Sequence, residues 1–338
     1  MNNLLIHGEN IQGLNYLMEK RSLRGKIDLV YIDPPFATGS DFVVSDDRVS
    51  TISSSRSGDI AYSDKVTGME FVEEIRKRCI LLKELLSDRG SIYLHTDYKI
   101  GHYLKVMMDE VFGIKNFRND ITRIKCNPKN FDRVGYGNMK DLILFYSKTA
   151  SPIWNEPRWE YSEKDMEKLF PKIDKNGRRY TTVPIHAPGE SANPQSFKGI
   201  MPPKGRHWRT DVAQLEELDR NGLIEWSAKG NPRKINYADE GSGKRVQDVW
   251  LDYKDPQYPT YPTEKNQDFI DMIVQTSSNE DSIVLDCYCG SGTTLKSASD
   301  NGRSWIGIDQ SAMAIKATKE KLGQQQTLFS SEYEYVEL

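Results

Sequence analysis

No run in this 338-residue chain approaches the eighteen or more consecutive apolar residues of a transmembrane helix, so the sequence predicts no membrane span. The four cysteines are too few for a disulfide framework in a chain of this length. Cys287 and Cys289 are separated by one residue, whereas zinc sites usually have two to four, so no metal site is predicted. The segment Met1–His7 lacks the basic flank and apolar core of a secretory leader. We therefore expect a cytoplasmic protein with reduced thiols.

The chain also lacks a strong overall charge, but its charges are distributed unevenly. The net charge is −3, yet the region from Arg123 to Trp250 carries 23 Lys and Arg against 17 Asp and Glu, a net of +6. Five of the six tryptophans lie in this region, and thirteen of the fifteen prolines lie between Pro128 and Pro262. A basic, aromatic insert between acidic flanks is typical of a polyanion-binding module. On composition alone, a loop-rich insert with a solvated surface remains an equal alternative.

The flanks of this insert alternate between strand and helix patterns, which predicts an α/β protein with a mainly parallel sheet. Ala37–Gly68 is rich in Ser, Asp and Gly and is predicted to be a long mobile loop, and the residues from Gln324 onward are predicted to be a tail. The predicted strands are Asn3–His7, Ile27–Asp33, Ser91–Asp97, Asp141–Ser147, Ser282–Asp286 and Trp305–Asp309. The predicted helices are Glu9–Lys20, Met69–Arg89, Tyr98–Phe112, Glu264–Gln275, a helix from Thr293, and Ala312–Leu322.

The segment Val284–Thr294 combines an apolar strand, the acid Asp286, a glycine-rich turn and a helix start. Gly290 and Gly292 allow a sharp turn and a close approach of the backbone to a ligand, and the free N–H groups of the first helical turn favour a carboxylate or phosphate. The turn matches neither the G-x-G-x-x-G dinucleotide pattern nor a P-loop. A generic structural turn is equally compatible with this segment alone.

The next strand ends in Asp309, 23 residues after Asp286. This spacing places a carboxylate beside the crevice of an open parallel sheet, where it can accept hydrogen bonds from both ribose hydroxyls of a nucleoside. The turn and Asp309 together favour a nucleoside-binding site over a structural turn.

The second motif is Asp33-Pro34-Pro35-Phe36 at the end of an apolar strand. A diproline that ends a strand beside a core phenylalanine is the structural alternative. The chemical interpretation uses all four residues: the Asp33 carboxylate and the Pro34 carbonyl accept the two hydrogens of an exocyclic amine, Pro35 has no competing N–H, and Phe36 stacks on the ring that carries the amine. Polarising both N–H bonds makes a weakly nucleophilic amino group reactive.

Together these motifs resemble those of the β-class DNA amino-methyltransferases, in which the catalytic motif precedes the cofactor motif. The chain is most similar to the adenine-specific modification subunits of type III restriction–modification systems. The resemblance extends to about Leu322, and further segments fit it: Ile6–Asn10, Ile92–Asp97, Trp208-Arg209, Gly222–Trp226, Val246–Trp250 and Tyr261–Lys265. The chain departs from the family pattern at Asp286-Cys287-Tyr288, Glu9 and Phe36, and type III subunits are usually much longer.

The resemblance implies a Rossmann-like S-adenosylmethionine-dependent methyltransferase fold with a mainly parallel seven-stranded sheet. Residues 1–122 and 251–323 would form the catalytic domain, with Asp141–Ser147 as a further strand of it. Most of 123–250 would be an inserted target recognition domain, and 324–338 a C-terminal tail.

The resemblance also implies direct transfer of a methyl group from S-adenosyl-L-methionine to the N6 amino group of adenine in flipped-out duplex DNA. The amino clamp would be Asp33, Pro34, Pro35 and Phe36. Lys265 is a candidate for the cofactor carboxylate, with a solvated lysine as an equal alternative. The residues expected at the cofactor are Gly8, Glu9, Asn10, Thr263, Lys265, Asp286, Cys287, Gly290, Ser291, Gly292, Thr293 and Asp309.

Basic residues of the insert are the candidates for contacts with DNA phosphates or guanine edges. A homodimer and a separate restriction subunit are further expected partners. Cytosine-N4 methylation and a non-catalytic DNA-binding partner subunit remain alternatives, although family members acting on cytosine N4 usually carry Ser in place of Asp33. The DNA-binding candidates are Lys198, Lys204, Arg206, Arg209, Lys229, Arg233, Lys234, Lys244 and Arg245.

Overall fold

The structure is a computed structural model that divides the chain into two compact units. Unit 1 comprises Met1–Pro157 and Gln247–Leu338, and unit 2 comprises Arg158–Val246. Unit 2 is narrower than the insert predicted over 123–250, because residues as far as Ser147 are strands of the large sheet of unit 1. The described residues are 2–35, 41–45, 48–50, 59–63, 68–128, 132, 134–257, 259, 264–323 and 333–338.

Unit 1 is built on a nine-stranded sheet. Its strands are β1 (Asn3–His7), β2 (Ile27–Ile32), β6 (Leu86–Thr96), β7 (Phe117–Ile124), β8 (Lys140–Ser147), β17 (Val249–Trp250), β18 (Ile283–Asp286), β19 (Ser304–Asp309) and β20 (Tyr333–Glu337). They lie in the order β17-β7-β8-β6-β2-β18-β19-β1-β20. The pairs are parallel except β6–β8 and β7–β8, so the predicted mainly parallel sheet is confirmed.

The predicted count of seven strands is wrong, and the two edge strands show why. Strand β17 has two residues, too few to give a periodic pattern. Strand β20 lies in the segment predicted to be a tail, and its register on β1 pairs Leu5 with Tyr335. Its sequence, Tyr-Glu-Tyr-Val-Glu, is too short and too charged to be recognised as a strand without the neighbour that completes it.

Helices cover the faces of this sheet, and none of the described helices has both the length and the apolar content needed to cross a bilayer. The helices of unit 1 are α1 (Asn10–Glu19), α2 (Met69–Leu85), α3 (Gly101–Phe112), α6 (Gln267–Ser277), α7 (Thr293–Asp300) and α8 (Ala312–Gly323), with a 3₁₀ turn at Ile114–Asn116. Helix α2 ends at Leu85, earlier than the predicted Arg89, because β6 begins at Leu86 in register with Ile27 of β2.

The region predicted to be a mobile loop, Ala37–Gly68, contains three short strands among its described residues. They are β3 (Asp41–Ser45), β4 (Arg48–Ser50) and β5 (Asp59–Ser63), which pair in the antiparallel order β4-β3-β5. The loop prediction is therefore wrong for these strands, and the rest of it lies outside the described residues.

The carboxyl ends of the parallel strands meet at one edge of the sheet, which collects the polar residues of the motifs. Asp33 follows β2 directly, and Asp286 and Asp309 are the last residues of β18 and β19. Strand β8 runs antiparallel to β6, so Asp141, its second residue, lies beside the end of β6 near His95. One edge of the sheet thus receives side chains from strands distant in the chain, as open α/β sheets require of a binding site.

Unit 2 has its own small antiparallel sheet and its own apolar cluster of Ile185, Phe197, Leu215 and Ile224. Its elements are β9 (Arg158–Trp159), α4 (Glu163–Leu169), β10 (Lys172–Ile173), β11 (Arg179–Pro184), β12 (His186–Pro188), β13 (Arg206–Trp208), α5 (Val212–Arg220), β14 (Ile224–Trp226), β15 (Pro232–Tyr237) and β16 (Lys244–Arg245). The sheet has the order β10-β11-β15-β14. The two ends of the unit meet, because Arg158 pairs with Arg245 across β9 and β16.

Candidate active site

Asp33 lies at the carboxyl edge of the sheet because the diproline after it ends β2. Its Oδ2 forms an ion pair of 2.5 Å with Lys265 Nζ, and the two side chains are 15% and 10% exposed. Among the described residues, no donor lies within hydrogen-bond distance of the buried Oδ1 of Asp33. The carboxylate is therefore held on one oxygen by a cation and is short of a donor on the other.

Lys265 lies just before α6 and packs against Asp33 rather than projecting into solvent. Burial opposes its charge, but the carboxylates of Asp33 and Asp255 outweigh burial and raise the pKa of Lys265. The alternative of a solvated lysine is wrong, because a nearly buried ammonium in an ion pair is not a solvated one. Its predicted contact with a cofactor carboxylate stays a prediction.

The rest of the diproline motif is placed in part. Pro34 is buried and Pro35 is half-buried, directly after the strand end. Phe36 lies outside the described residues, as does Thr263 of the predicted cofactor set. The described part of the amino clamp therefore consists of Asp33, Pro34 and Pro35.

The glycine-rich turn between β18 and α7 requires glycine at position 292. Gly292 has φ +79° and precedes the first residue of α7. A Cβ at Gly292 would lie 2.9 Å from Thr318 Oγ1 on α8, and that hydroxyl donates to the Gly290 carbonyl at 2.9 Å. The turn is thus fixed against α8 by a close approach that any side chain at 292 would disrupt.

Two hydroxyls at the N-terminus of α7, those of Ser291 and Thr293, contact one cation, Lys321. Lys321 Nζ lies 3.1 Å from Ser291 Oγ and 3.0 Å from Thr293 Oγ1, and its charge is balanced by Glu264 at 2.6 Å. Sequence reasoning missed Lys321, because a lysine near the end of an amphipathic helix gives no local signal. It also gave no role to Glu264, although Tyr261–Lys265 was among the segments of the resemblance.

The two acids at the ends of β18 and β19 accept hydrogen bonds from backbone N–H groups. Asp286 Oδ1 accepts from Tyr288 N at 2.9 Å, and Asp309 accepts from Gly290 N at 2.9 Å and from Ser311 N at 2.8 Å. Burial raises the pKa of Asp286 to about 7 and also raises the pKa of Asp309. Asp309 thus lies beside the turn, as the strand spacing predicted.

The segment Gly8–Asn10 contacts other parts of unit 1 next to the predicted cofactor motif. Glu9 caps α1 by accepting from Gln12 N at 3.1 Å and pairs with Arg78 at 2.7 Å. The Asn10 side chain is buried and donates to the Cys287 carbonyl. A Cβ at Gly8 would meet the Leu338 side chain at 3.1 Å. These contacts position the turn between β18 and α7. A direct contact of the three residues with the cofactor stays a prediction.

Cys287 and Cys289 are buried, and burial raises the pKa of both thiols well above the ordinary value. Thiols of this kind stay protonated and inert. This fits a structural role for these two cysteines.

One cleft brings the two motifs together. Asp33 and Lys265 line it together with Asp286, Gly290, Ser291, Thr293 and Thr294, around a volume of about 390 Å³ that includes space open to solvent. Tyr31, Glu264, Ile270, Tyr288 and Cys289 complete the lining. The carboxylate that was predicted to hold an amine therefore faces the same space as the predicted cofactor turn.

A buried polar network lies behind Asp33. His95 Nδ1 is 2.8 Å from Tyr31 Oη and 3.8 Å from Asp33 Oδ1, and its Nε2 is 3.3 Å from Asp141 Oδ2. Lys125 Nζ contacts the other oxygen of Asp141 at 2.7 Å. The segment Ile92–Asp97 was part of the resemblance, but sequence reasoning gave His95 no role, because its partners come from other strands.

The predicted DNA-binding cations of unit 2 fall into two groups, and the first has contacts inside the unit. Lys198 pairs with Asp219 at 3.2 Å and Lys244 with Asp165 at 2.5 Å. Arg233 donates to the hydroxyl and carbonyl of Thr182 at 2.9 and 2.6 Å. These three side chains stabilise unit 2, which leaves less of their charge available to a polyanion.

The second group is exposed. Arg206 contacts His186 Nδ1 at 3.2 Å, and Arg209 donates to the His186 carbonyl at 3.2 Å, so both are oriented on the β12–β13 hairpin. The remaining members of this group are Lys204, Lys229, Lys234 and Arg245. Contact of either group with DNA stays a prediction.

A family model described as DNA methylase, of the N6/N4 methyltransferase type, matches residues 27–320. The type II methyltransferase M.EcaI of Enterobacter cloacae is 39% identical over 94% of this chain and 69% of its own length. The StyLTI Mod subunit of a type III restriction–modification enzyme from Salmonella typhimurium is 25% identical over 86% of this chain and 49% of its own length. The chain thus spans about half the length of this type III relative.

Solved structures share the fold at low sequence identity. The protein TTHA0409 of Thermus thermophilus, solved with S-adenosyl-L-methionine, has a TM-score of 0.52 and 13% identity, covering 99% of this chain and 98% of its own. The PvuII DNA methyltransferase, described as cytosine-N4-specific, has a TM-score of 0.53 and 11% identity, covering 100% of this chain and 95% of its own. These similarities confirm the predicted methyltransferase fold.

Proposed function

Because the chain belongs to the N6/N4 DNA methylase family, we propose that it methylates the N6 amino group of adenine in duplex DNA. Membership of the family confirms the resemblance to DNA amino-methyltransferases drawn from the two motifs. The choice of adenine, of duplex DNA and of a fixed target sequence belongs to the proposal.

The observation that carries the proposal is the shared cleft. Asp33 reaches it from β2, and the turn Gly290–Thr293 reaches it from β18. A methyl donor held at the turn and an amino group held at Asp33 would therefore be neighbours. Direct transfer needs this proximity and a preorganised acceptor more than it needs any covalent intermediate.

The residues of the turn fit S-adenosyl-L-methionine, which supplies an activated methyl group when it is bound. Lys321, Ser291 and Thr293 offer an ammonium and two hydroxyls at the N-terminus of α7, suited to the methionine carboxylate. Asp309 lies beside Gly290 and has lone pairs left for the ribose hydroxyls, since each of its oxygens takes one backbone N–H in the contacts found.

The residues of β2 fit an exocyclic amine. Asp33 accepts one hydrogen of the amine, the Pro34 carbonyl accepts the other, and Lys265 holds the carboxylate in place by pairing with its Oδ2. A target base must leave the duplex to reach this cleft, which costs a few kcal/mol that stacking and hydrogen bonds recover.

Unit 2 would supply the DNA-binding surface as the target recognition domain. Its exposed cations Lys204, Arg206, Arg209, Lys229 and Lys234 are of the kind that contact phosphates and guanine edges. Homodimer formation and a separate restriction subunit are further proposals, which rest on the likeness to type III modification subunits.

Cytosine N4 is the competing target, because the family covers both amines and both present two hydrogens, one for Asp33 and one for the Pro34 carbonyl. A non-catalytic DNA-binding subunit is disfavoured by the intact ion pair of Asp33 and the complete turn. The preference for adenine rests on Asp at position 33 and on the resemblance to adenine-modifying enzymes.

Nucleoside analysis tests the proposal. DNA incubated with the purified protein and S-adenosyl-L-methionine is digested to nucleosides and separated by mass spectrometry, with the Asp33→Asn variant as the matched control. N6-methyladenine from the wild type and none from the variant is the expected result. N4-methylcytosine would overturn the base assignment, and no methylated base on any DNA would overturn the activity.

A further inference from the structure

The methylation reaction leaves one proton to be removed from the target amino group. The amino nitrogen forms a bond to the methyl carbon while the carbon–sulfur bond of the cofactor breaks, sulfur keeps the electron pair, and the nitrogen must lose one proton. Asp33 is the carboxylate at this amine in the proposed function, but one of its oxygens is already paired with Lys265. The other oxygen, Oδ1, faces His95.

The ionic state of Asp141 fixes the resting tautomer of His95. Hydrogen bonds from His95 and Lys125, together with the charge of Lys125, outweigh burial and lower the pKa of Asp141 well below its usual range, so Asp141 is an ionised acceptor. His95 Nε2 must therefore donate to Asp141. Burial lowers the pKa of His95 below its ordinary value despite both carboxylates, so the ring is neutral and Nδ1 is an acceptor. Tyr31, whose hydroxyl pKa is raised by burial, then donates to Nδ1.

This tautomer explains why Asp33 Oδ1 has no donor among the described residues. Oδ1 and His95 Nδ1 are both acceptors, and they lie 3.8 Å apart without a hydrogen bond. A single proton placed between them would satisfy both atoms, after a contraction of about 1 Å to hydrogen-bond length. Catalytic hydrogen bonds are often long before substrate binds.

We propose that His95, acting through Asp33, receives the proton that the target amino group loses during methyl transfer. The inference rests on the proposed function of Asp33. The proton passes from the amino nitrogen to Oδ1 of Asp33, the oxygen that is not paired with Lys265, and from Oδ1 to His95 Nδ1. The imidazolium that forms lies between Asp33 and Asp141, whose charges stabilise it, and Tyr31 Oη turns to accept from it.

The groups that face His95 set the direction of its pH dependence. Asp33 and Tyr31 come from β2 and its end, Asp141 from β8, Lys265 from the segment before α6, and the Phe269 ring from α6. The ring is fully buried. If this pair takes up a proton from solvent before the reaction, it cannot take one from the amine, so the rate should fall on the acid side of the ordinary histidine range.

The test is the pH profile of the single-turnover methylation rate for the wild type, His95→Gln and His102→Gln. Glutamine retains an N–H for Asp141 but cannot be protonated, and His102 is an exposed histidine of α3 that serves as the control. His95→Gln should lower the plateau rate about 10²-fold and move the acid limb towards the range of a lone carboxyl. Cofactor and DNA affinities should stay within about twofold of wild type, and His102→Gln should match the wild type.

An acid limb left in place by His95→Gln would overturn the proposal, whatever the plateau rate, because a packing defect slows the reaction without changing its titration. If His95→Gln does not fold, Asp141→Asn serves instead: it keeps an acceptor for Nε2 but removes the charge that stabilises the imidazolium. Its acid limb should then move to lower pH, and an unmoved limb would overturn the proposal. A wild type that methylates no base would overturn the proposed function. An active wild type whose acid limb does not depend on His95 would overturn this inference alone.

Discussion

The acidic residues on the two sides of the cleft have different partners: cations on one side and backbone N–H groups on the other. On the target side, defined by Asp33, His95, Asp141, Lys125 and Lys265, each acid has a cation in contact. Direct contacts with His95 and Lys125 outweigh burial and lower the pKa of Asp141.

On the cofactor side, defined by Asp286, Asp309 and the turn Gly290–Thr293, the acids accept from backbone N–H groups instead. Burial raises the pKa of Asp286 and Asp309. The target side thus places a cation against each of its acids before substrate arrives. The cofactor side leaves its acids short of positive charge, as suits a site for a ligand with a sulfonium and an ammonium group.

The largest expected effect is on the target side. Asp33→Asn should lower methyl transfer by at least about 10²-fold, because the neutral amide cannot accept the proton of the amine. Cofactor affinity should stay within about twofold, which isothermal titration calorimetry measures. Asn keeps the shape of Asp and is preferred to Ala, since Asp33→Ala would leave a cavity beside the buried Lys265 cation. Methylation by Asp33→Asn at close to the wild-type rate would remove Asp33 from the mechanism.

Part of this comparison could be predicted from the sequence, because local sequence patterns mark some of the residues and not others. Asp33, Asp286, Asp309 and the glycine turn are each local, since strand ends and glycine spacing mark them. The ion pair of Asp33 with Lys265 joins residues more than two hundred positions apart, and no periodicity reports it.

The same limit applies to the network around His95 and to the hydroxyl cluster at Lys321. It also applies to β20, which is a strand because β1 offers it an edge. Local chemistry thus fixes which groups serve the site, whereas their electrostatic pairing depends on the sheet order.

The next effect tests the turn on the cofactor side. Gly292→Leu should weaken S-adenosyl-L-methionine binding by more than about tenfold, because overpacking against Thr318 on α8 displaces the turn at a cost of about 1–3 kcal/mol. Gly302→Leu is the matched control, since its φ of +76° imposes the same backbone strain and a Cβ there meets nothing within 4 Å. Calorimetry distinguishes the two variants. Equal affinities would reduce the turn to a structural feature.

A smaller effect compares the cleft with the exposed cations Arg206 and Arg209 of unit 2. Arg206→Glu with Arg209→Glu should lower DNA affinity about tenfold at moderate salt and reduce the slope of log affinity against log salt by about 2. Cofactor affinity should not change. The control pair is Lys77→Glu with Lys316→Glu, which makes the same charge change at exposed lysines of unit 1. Fluorescence anisotropy of labelled duplex measures both. Equal losses in the two pairs would point to general repulsion and move the DNA-binding surface elsewhere.

The smallest expected effect tests whether burial of the Asp286 carboxyl on the cofactor side lowers the free energy of unfolding. The pKa of Asp286 is about 7 in the folded protein against 3.8 as the ordinary value. A raised carboxyl pKa means that the folded state binds more protons than the unfolded state between these values, so the stability of the wild type falls as pH rises from about 4 to 7. Asp286→Asn removes this penalty while its amide oxygen can still accept from Tyr288 N. The variant should therefore be more stable to unfolding than the wild type at pH 8, and the gain should shrink towards zero near pH 4. Chemical denaturation at both pH values, without cofactor, measures the difference. A gain that is the same at pH 4 and pH 8 would show that packing rather than the buried charge sets it. In that case the buried charge of Asp286 would lower the stability of the folded protein no more than the acids of the target side do.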